Sequence, residues 1–223
     1  MSKVEVKPLI IVGAGGLGRE VAWLVEDINK NTPQWNLLGF VDDGVSGSTV
    51  EGYPILGNVD SLFYMKPLPW VIVAIANASV RKRIAGKIQQ RGMSMATLIH
   101  PSAQNSRFVE IGEGSIICAG SVLTSNIKLG LSCIVNLGTL IGHDTILDNF
   151  VSLMPGVNLA GEVTIGEGVY MGLNACVINR TSVGEWSIIG AGATVVSDIP
   201  PKSLAVGVPA RVLKRVRNEE EQQ

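Results

Sequence analysis

Cysteine and histidine are scarce in this sequence, and its net charge is close to zero. The 223 residues include three cysteines and two histidines, and no two cysteines form a Cys-x-x-Cys pair. These numbers exclude a disulfide framework and argue against a zinc or multi-histidine metal site. The formal net charge is −1, so no basic field is available to hold nucleic acid or an anionic membrane. We therefore expect no metal, no nucleic-acid partner and no membrane partner.

Long apolar runs are absent as well. No stretch approaches the roughly 20 apolar residues of a membrane-spanning helix, and the first residues lack a signal-peptide pattern. Hydrophobic residues nevertheless make up 46% of the chain and charged residues 17%, which is too apolar a composition for a disordered protein. We expect a soluble, reduced, cytoplasmic protein. Because only 5% of the residues are aromatic, its core must consist of aliphatic and small side chains.

A six-residue repeat runs through the second half of the chain. Every sixth residue from Ile111 to Val195 is apolar, and the fifth position of each hexad is small or β-branched, with Ile127 as the only larger residue. This period matches neither an α-helix nor a simple β-strand. It predicts a triangular parallel β-helix in which three short strands and three turns make one coil of about 18 residues. The fifteen hexads that start at Ile111 predict five coils. Ile99 and Ala103 fit the same six-residue phase, so the repeat is expected to begin near residue 97. A β-sandwich is disfavoured because no two-residue hairpin signals interrupt this region.

The first 95 residues have a different pattern. Strands are predicted over residues 8–12, 37–41, 70–76 and 95–99, and helices over residues 19–29 and 80–91. Strands that alternate with helices predict a small parallel sheet. We therefore divide the chain into a Rossmann-like α/β domain (residues 1–95), an all-β parallel β-helix (residues 96–212) and a C-terminal tail (residues 213–223), whose last residues, 218–223, are expected to fray.

A glycine-rich turn follows the first predicted strand. Gly13, Gly15 and Gly18 have the G-x-G-x-x-G spacing that brings backbone N–H groups and a helix N-terminus to a phosphate. Asp42 and Asp43 end the second strand, where carboxylates can accept hydrogen bonds from a ribose or a base. The same features are typical of NAD-dependent dehydrogenases. A dehydrogenase is disfavoured because the unit has no second mononucleotide-binding half, but the glycines can also serve only to make a tight turn.

The whole arrangement resembles one family of enzymes. The repeat is similar to that of the hexapeptide-repeat, left-handed β-helix acyltransferases. The full chain resembles their sialic acid O-acetyltransferase and nucleotide-sugar N-acetyltransferase (NeuD/PglD-like) group. The motifs that carry this resemblance are Gly13-Ala14-Gly15-Gly16, Gly39-Phe40-Val41-Asp42-Asp43, Gly52-Tyr53-Pro54-Ile55-Leu56-Gly57, Ile99-His100-Pro101-Ser102-Ala103, Asn136 with His143-Asp144, Leu159-Ala160-Gly161 and Gly207-Val208-Pro209-Ala210-Arg211.

This resemblance implies an acetyl-CoA-dependent N-acetyltransferase. The implied acceptor is the amino group of a UDP- or GDP-linked amino sugar, with a 4-amino sugar favoured, and the product would enter surface-polysaccharide or glycan synthesis. The implied assembly is a homotrimer with acetyl-CoA bound between subunits. Two alternatives remain at this stage: an O-acetyltransferase for sialic acid, and a non-catalytic nucleotide-binding trimeric scaffold.

The predicted catalytic residues are His143, Asp144 and Asn136. A protonated amine cannot attack a thioester, and a hydroxyl is a poor nucleophile, so either acceptor needs a base, for which a histidine suffices. His143 lies two residues after the inward-pointing Ile141, so its side chain is expected to leave the core. The resemblance gives Asp144 the role of orienting the imidazole and places Asn136 in the active site. The alternatives are a surface corner for His143 and an amide that stacks between coils for Asn136; for His100 we expect a structural role.

The remaining site residues are also implied by the resemblance. The substrate-binding residues would be Gly13, Ala14, Gly15, Gly16, Asp42, Asp43, Gly57 and Asn77. The cofactor-binding residues would be Ser152, Gly161, Leu173, Ala191, Pro209 and Arg211. Ser152 occupies the position where many relatives carry a second histidine that contacts acetyl-CoA. Near the C-terminus, Lys202, Lys214 and Arg215 are either phosphate ligands or ordinary solvated charges.

Overall fold

The N-terminal part of the chain is a three-stranded parallel sheet with a helix after its first strand and another after its last. The computed structural model describes residues 6–44 and 47–216. The sheet consists of β1 (Lys7–Val12), β2 (Trp35–Val41) and β5 (Trp70–Val73), in the order β2-β1-β5. The helices are α1 (Gly16–Asn31) and α2 (Ala78–Gln90), and a short antiparallel pair, β3 (Thr49–Val50) and β4 (Tyr53–Pro54), precedes a 3-10 helix (Val59–Tyr64). No helix within the described residues is long and apolar enough to cross a membrane.

The fourth strand predicted for this sheet is wrong. Met95 makes only a single parallel bridge to Val71, and the chain then leaves the sheet. Leu98–Ile99 instead forms β6, the first strand of the C-terminal domain, where it pairs with Ile116–Ile117. The apolar residues of this segment could pair with β5 of the sheet or with β9 (Ile116–Ile117) of the solenoid. Leu98 and Ile99 pair with β9 and so belong to the first coil.

The C-terminal part is a parallel β-solenoid with three faces. We call these the first, second and third faces. The first contains β6 (Leu98–Ile99), β9 (Ile116–Ile117), β12 (Ile134–Val135), β15 (Ser152–Leu153), β18 (Tyr170–Met171), β21 (Ile188–Ile189), β23 (Ser203–Val206) and β24 (Arg211–Arg215). The second contains β7 (Gln104–Asn105), β10 (Val122–Leu123), β13 (Leu140–Ile141), β16 (Asn158–Leu159), β19 (Cys176–Val177) and β22 (Thr194–Val195). The third contains β8 (Val109–Ile111), β11 (Ile127–Leu129), β14 (Ile146–Leu147), β17 (Thr164–Ile165) and β20 (Ser182–Val183).

The register of these strands confirms the repeat. From β6 to β22, neighbouring strands of a face pair residues 18 positions apart, as in Val135 with Leu153, and the spacing shortens to 16 only between β21 and β23. The six strands of the second face give about six coils, one more than the five predicted. The prediction counted hexads from Ile111, whereas the first coil already begins at Leu98.

The solenoid interior is filled as the repeat predicts. The sixth-residue series from Ile117 to Val195 is buried throughout, and only Ile111, near the N-terminal end of the solenoid, is partly exposed. Buried hydroxyl groups at the fifth position donate to backbone carbonyl oxygens, as Thr145 does to Ala160 at 3.2 Å. The narrow core therefore leaves few buried polar atoms without a partner.

The N-terminal domain packs against the first face. Ile116 and Ile134, which point outward from that face, share one hydrophobic cluster with Val21 and Leu24 of α1. His100 links the same helix to the solenoid, because its Nε2 lies 3.0 Å from the Asp27 carboxylate. This geometry agrees with the structural role expected for His100.

The C-terminal strand crosses a predicted domain boundary. β24 runs from Arg211 to Arg215 and pairs antiparallel with β23, whereas the sequence places the start of the tail at residue 213. The other boundary, at 95/96, stays a prediction. The terminus expected to fray, residues 218–223, lies outside the described residues.

Candidate functional site

In the glycine loop between β1 and α1, two glycines form the tight turn and two others face open space. Gly13 has a φ of +99° and lies so close to β5 that an added Cβ would stand 2.9 Å from the Ala74 carbonyl oxygen. An added Cβ at Gly18 would overlap the Gly13 carbonyl oxygen. These two glycines therefore make the tight turn. At Gly15 and Gly16, by contrast, no atom lies within 4 Å of an added Cβ, so this side of the loop is open to a ligand.

A cleft of about 230 Å³ lies at the carboxyl ends of the three sheet strands. Its lining includes Gly13, Asp42, Asp43, Gly44, Ile75, Val80 and Arg83. Open α/β sheets bind ligands at this edge, where the strand order reverses. Arg83 was not predicted as a site residue. It is an exposed cation on the second turn of α2, and only the knowledge that α2 begins at this edge would have drawn attention to it.

The acidic residues of the cleft bind its own backbone. Asp42 accepts hydrogen bonds from the N–H groups of Ala14 and Gly44, each at 2.7 Å. Asp43 accepts one from the N–H of Val59 at 2.9 Å. Both carboxylates thus lie at the end of the second strand, as predicted, and line the cleft. Their hydrogen bonds to backbone N–H groups also stabilise the loops that form it.

Two further predicted substrate residues stabilise loops at or near the same edge. Asn77 caps α2, since its Oδ1 accepts a hydrogen bond from the N–H of Val80 at 3.0 Å. The carbonyl oxygen of Gly57 accepts the N–H of Asp42 at 3.0 Å, and Gly57 has a φ of +132°. Their positions fit a supporting role around the cleft.

A second polar group lies at the corner between the second and third faces. His143 Nδ1 is 2.7 Å from Asp144 Oδ2, and the side-chain amide of Asn126, one coil earlier, donates to Asp144 Oδ1. The hydrogen bond from Asn126, followed by that from His143, lowers the pKa of Asp144 below its usual value. The carboxylate is therefore ionised at neutral pH. An ionised carboxylate can only accept hydrogen bonds, so it favours the imidazole tautomer with the proton on Nδ1, in which Nε2 is the basic nitrogen.

Gly161 lies beside the imidazole in the next coil. An added Cβ at this position would stand 2.5 Å from His143 Nε2. The glycine therefore makes room for the ring, as the 18-residue spacing predicts, and it keeps the basic nitrogen at an open corner where the His143 side chain is 61% exposed.

Asn136 lies at a different corner from His143. It follows β12, between the first and second faces, whereas His143 follows β13, between the second and third. Asn136 is 4% exposed, and its Oδ1 accepts the N–H of Leu137 at 2.7 Å. Leu173 and Ala191 are exposed at the same corner as Asn136, one coil apart. Asn136 and His143 thus stand at opposite ends of the second face within one chain.

The predicted C-terminal cofactor residues lie at the end of the second face. The loop between β23 and β24 is bound to Thr194 of β22, through the carbonyl oxygen of Gly207 and the N–H of Ala210. Pro209 and Arg211 are exposed there. This placement brings them to the same end of the solenoid as Ala191.

The acetyl-CoA contact predicted for Ser152 is contradicted by its position. Ser152 points outward from the first face, which the N-terminal domain covers, and it is 0% exposed. Its hydroxyl donates to the Ala76 carbonyl oxygen at 3.0 Å and accepts from Arg81 at 2.9 Å. The prediction failed because the repeat indicates which side chains leave the core but not which face another domain covers.

Arg81 is the buried centre of the contact between the two domains. Its guanidinium donates to the carbonyl oxygens of Ile75 at 2.6 Å, Ser132 at 2.9 Å and Phe150 at 2.6 Å. Burial lowers its pKa to about 10, so the side chain stays charged at neutral pH. Arg81 was not predicted as a structural residue. It lies four residues before the buried Ala85, and this spacing places both on the buried face of α2.

Among the residues that the structure describes, no group of three or more His, Cys, Asp or Glu side chains is arranged to hold a metal ion.

Comparisons with known proteins agree with this geometry. Residues 8–88 match the PglD N-terminal domain. The GDP-perosamine N-acetyltransferase of Escherichia coli O157:H7 is 32% identical over 214 residues, which cover 92% of this chain and 96% of that protein.

Two solved structures resemble nearly the whole chain. PerB from Caulobacter crescentus, in complex with CoA and GDP-perosamine, is 31% identical with a TM-score of 0.86, over 96% of this chain and 100% of that one. The acetyltransferase domain of PglB from Neisseria gonorrhoeae FA1090, in complex with acetyl coenzyme A, is 34% identical with a TM-score of 0.80, over 94% and 100%. The chain thus belongs to the NeuD/PglD-like family of hexapeptide-repeat acetyltransferases, which are acetyl-CoA-dependent enzymes.

Proposed function

We propose that this enzyme transfers the acetyl group of acetyl-CoA to the amino group of a nucleotide-linked amino sugar. The acceptor is a UDP- or GDP-linked sugar, with a 4-amino sugar favoured. The observation that carries the proposal is the His143–Asp144 pair at an exposed corner, with the basic Nε2 over Gly161. The E. coli and C. crescentus relatives, whose names specify GDP-perosamine, support a GDP-linked acceptor.

The proposed reaction uses His143 as general base. Nε2 takes a proton from the acceptor amine, which forms a bond to the thioester carbonyl carbon. The tetrahedral intermediate then collapses, the carbon–sulfur bond breaks, and the imidazolium returns the proton to the CoA sulfur. Asp144 stabilises the imidazolium while it exists. An amine that binds as an ammonium ion releases its extra proton to solvent, so the products are an amide, CoA thiol and one proton.

The nucleotide of the acceptor is assigned to the cleft of the N-terminal domain. The open side of the loop at Gly15 and Gly16 lies at the N-terminus of α1, which favours an anionic phosphate. Arg83 lines the cleft together with Gly13, the first glycine of that loop, and its charge suits a diphosphate. We also propose that the enzyme acts in the cytoplasm, where both co-substrates are made, and that its product enters surface-polysaccharide or glycan synthesis.

A bulky side chain at Gly15 tests this assignment. Gly15→Leu is expected to raise the acceptor KM at least about 10-fold and to leave the acetyl-CoA KM within about 2-fold, because the new side chain occupies only the space assigned to the phosphates. The backbone at Gly15 has a φ of −75°, which leucine adopts without strain. Steady-state kinetics with each substrate varied in turn measures both constants. A change in the acetyl-CoA KM alone would contradict the division of the two sites.

The proposed assembly is a homotrimer. Asn136, Leu173 and Ala191 stand at one corner of the second face and His143 at the other, so a neighbouring subunit is needed to bring both groups to one site. Light scattering at micromolar concentration is expected to give three times the chain mass of 23.6 kDa. A monomer at that concentration would contradict both the trimer and the shared site.

The proposed function is tested by thiol release from acetyl-CoA with a panel of acceptors. The panel contains UDP- and GDP-linked 3-amino and 4-amino sugars, the free amino sugars, and sialic acid. We expect the highest kcat/KM for one nucleotide-linked 4-amino sugar and a much lower value for its free sugar. Preference for sialic acid would instead identify an O-acetyltransferase, and no activity with any acceptor would favour a scaffold.

A further inference from the structure

Asn126 and the proposed base are connected through Asp144. Each carboxylate oxygen of Asp144 has one of these two partners: Oδ1 accepts from the Asn126 amide, and Oδ2 lies 2.7 Å from His143 Nδ1. Asp144 is exposed over 46% of its side chain. Without a second contact, a carboxylate at such a corner would rotate between rotamers. The amide of Asn126 therefore selects the orientation that meets the imidazole.

We propose that Asn126 is a positioning residue of this enzyme, which holds the Asp144 carboxylate so that the His143 imidazole keeps its proton on Nδ1 and its basic Nε2 towards the acceptor. The inference rests on the proposed function of His143. It extends the catalytic group to a residue that lies 17 positions earlier in the sequence and one coil away in the structure.

The other residues of this corner show why an amide suits the position. Residues 18 apart stack here as Phe108, Asn126, Asp144, Glu162 and Arg180. Arg180 and Glu162 form a closed ion pair with nitrogen–oxygen distances of 3.1 and 3.2 Å. An arginine at position 126 would neutralise Asp144 in the same way. An uncharged donor orients the carboxylate and leaves its negative charge to stabilise the imidazolium.

Two further charged groups on neighbouring coils, Lys128 and Asp198, are engaged with other residues. Lys128, on the third face, lies 3.8 Å from Glu110. Asp198, two coils after Glu162, accepts the N–H of Ser182 at 2.7 Å. Removal of the Asn126 amide is therefore expected to act on His143 through Asp144, which is the hydrogen-bond partner that the two residues share.

Two substitutions at Asn126 separate positioning from general stability. Asn126→Ala is expected to lower kcat about 10-fold and to leave both KM values within about 2-fold, because substrate contacts are intact and only the base is misoriented. Asn126→Asp keeps the shape but adds a negative charge beside Asp144. The added charge favours the protonated imidazole, so the acid limb of the kcat/KM profile should move to higher pH. The matched control is Glu162→Gln, which breaks the ion pair one coil away and should change neither kcat nor the pH profile.

The tautomer of His143 gives a readout that needs no acceptor. Nitrogen-15 NMR of the full-length protein, with His100 as internal reference, is expected to find the Nδ1–H form in the parent chain. A larger fraction of Nε2–H is expected in Asn126→Ala. The proposal is overturned if Asn126→Ala leaves the tautomer unchanged, or if Glu162→Gln lowers kcat to the same extent. If the parent chain acetylates no acceptor, the proposed function fails, and the tautomer measurement still decides whether Asn126 positions Asp144 and His143.

Discussion

Replacement of His143 by alanine is expected to lower kcat by about 10²–10⁴-fold, the usual contribution of a positioned general base. The loss should appear in kcat with little change in KM, because the imidazole acts on the proton that moves in the transition state. The chain should stay folded and assembled, since the side chain is 61% exposed and outside the solenoid core. Steady-state kinetics with the best acceptor of the panel measures the effect.

The companion variants of this experiment identify the role of the histidine. Asp144→Ala should cost less than His143→Ala, because it removes the orienting partner and leaves the base. Raising the pH should partly restore the His143 variant with an amine acceptor, since free amine accumulates without a base, and should help a hydroxyl acceptor much less. Acetyl-CoA should still bind. Full activity in His143→Ala would contradict the assignment.

Replacement of Arg81 by methionine is expected to lower the free energy of unfolding by about 3–5 kcal/mol. The guanidinium satisfies backbone carbonyl oxygens of the loop between β5 and α2 and of two coils of the solenoid, and each buried acceptor without a donor costs about 1–3 kcal/mol. Urea unfolding followed by circular dichroism measures the change.

The neighbouring Lys82 provides the matched control. Its ammonium lies 2.6 Å from Glu167, but 44% of the side chain is exposed, and exposed ion pairs contribute about 1 kcal/mol or less. Lys82→Met should therefore unfold at nearly the same urea concentration as the parent chain. Equal midpoints for Arg81→Met and the parent would show that the buried contact between the domains contributes little.

The solenoid could be predicted from the sequence because its contacts are periodic. Each coil touches only the coils before and after it, so the residue at each sixth position meets its equivalent 18 residues away, and the pattern is visible in one dimension. The strand predicted over residues 95–99 failed for the opposite reason. Its apolar residues fit two sheets equally well, and the choice between Val71 and Ile116 as partners depends on distant parts of the chain.

The candidate site also contains some residues whose contacts could be predicted from the repeat and others whose contacts could not. His143 and Asp144 are adjacent in sequence, and Gly161 follows by the coil period, so the sequence was sufficient to bring them together. The same period leads back from Asp144 to Asn126, which makes that contact predictable in retrospect. Ser152 and Arg81 were not accessible in this way, because their contacts depend on which face of the solenoid the N-terminal domain covers.

The most direct test of the proposed function is the structure of the product formed from acetyl-CoA and the preferred nucleotide sugar. Mass spectrometry and NMR of the purified product should find one added acetyl group, bound as an amide to the sugar nitrogen, and the His143→Ala variant should form it at least about 10²-fold more slowly. An acetyl ester on a hydroxyl group, or release of CoA without any acetylated sugar, would contradict it.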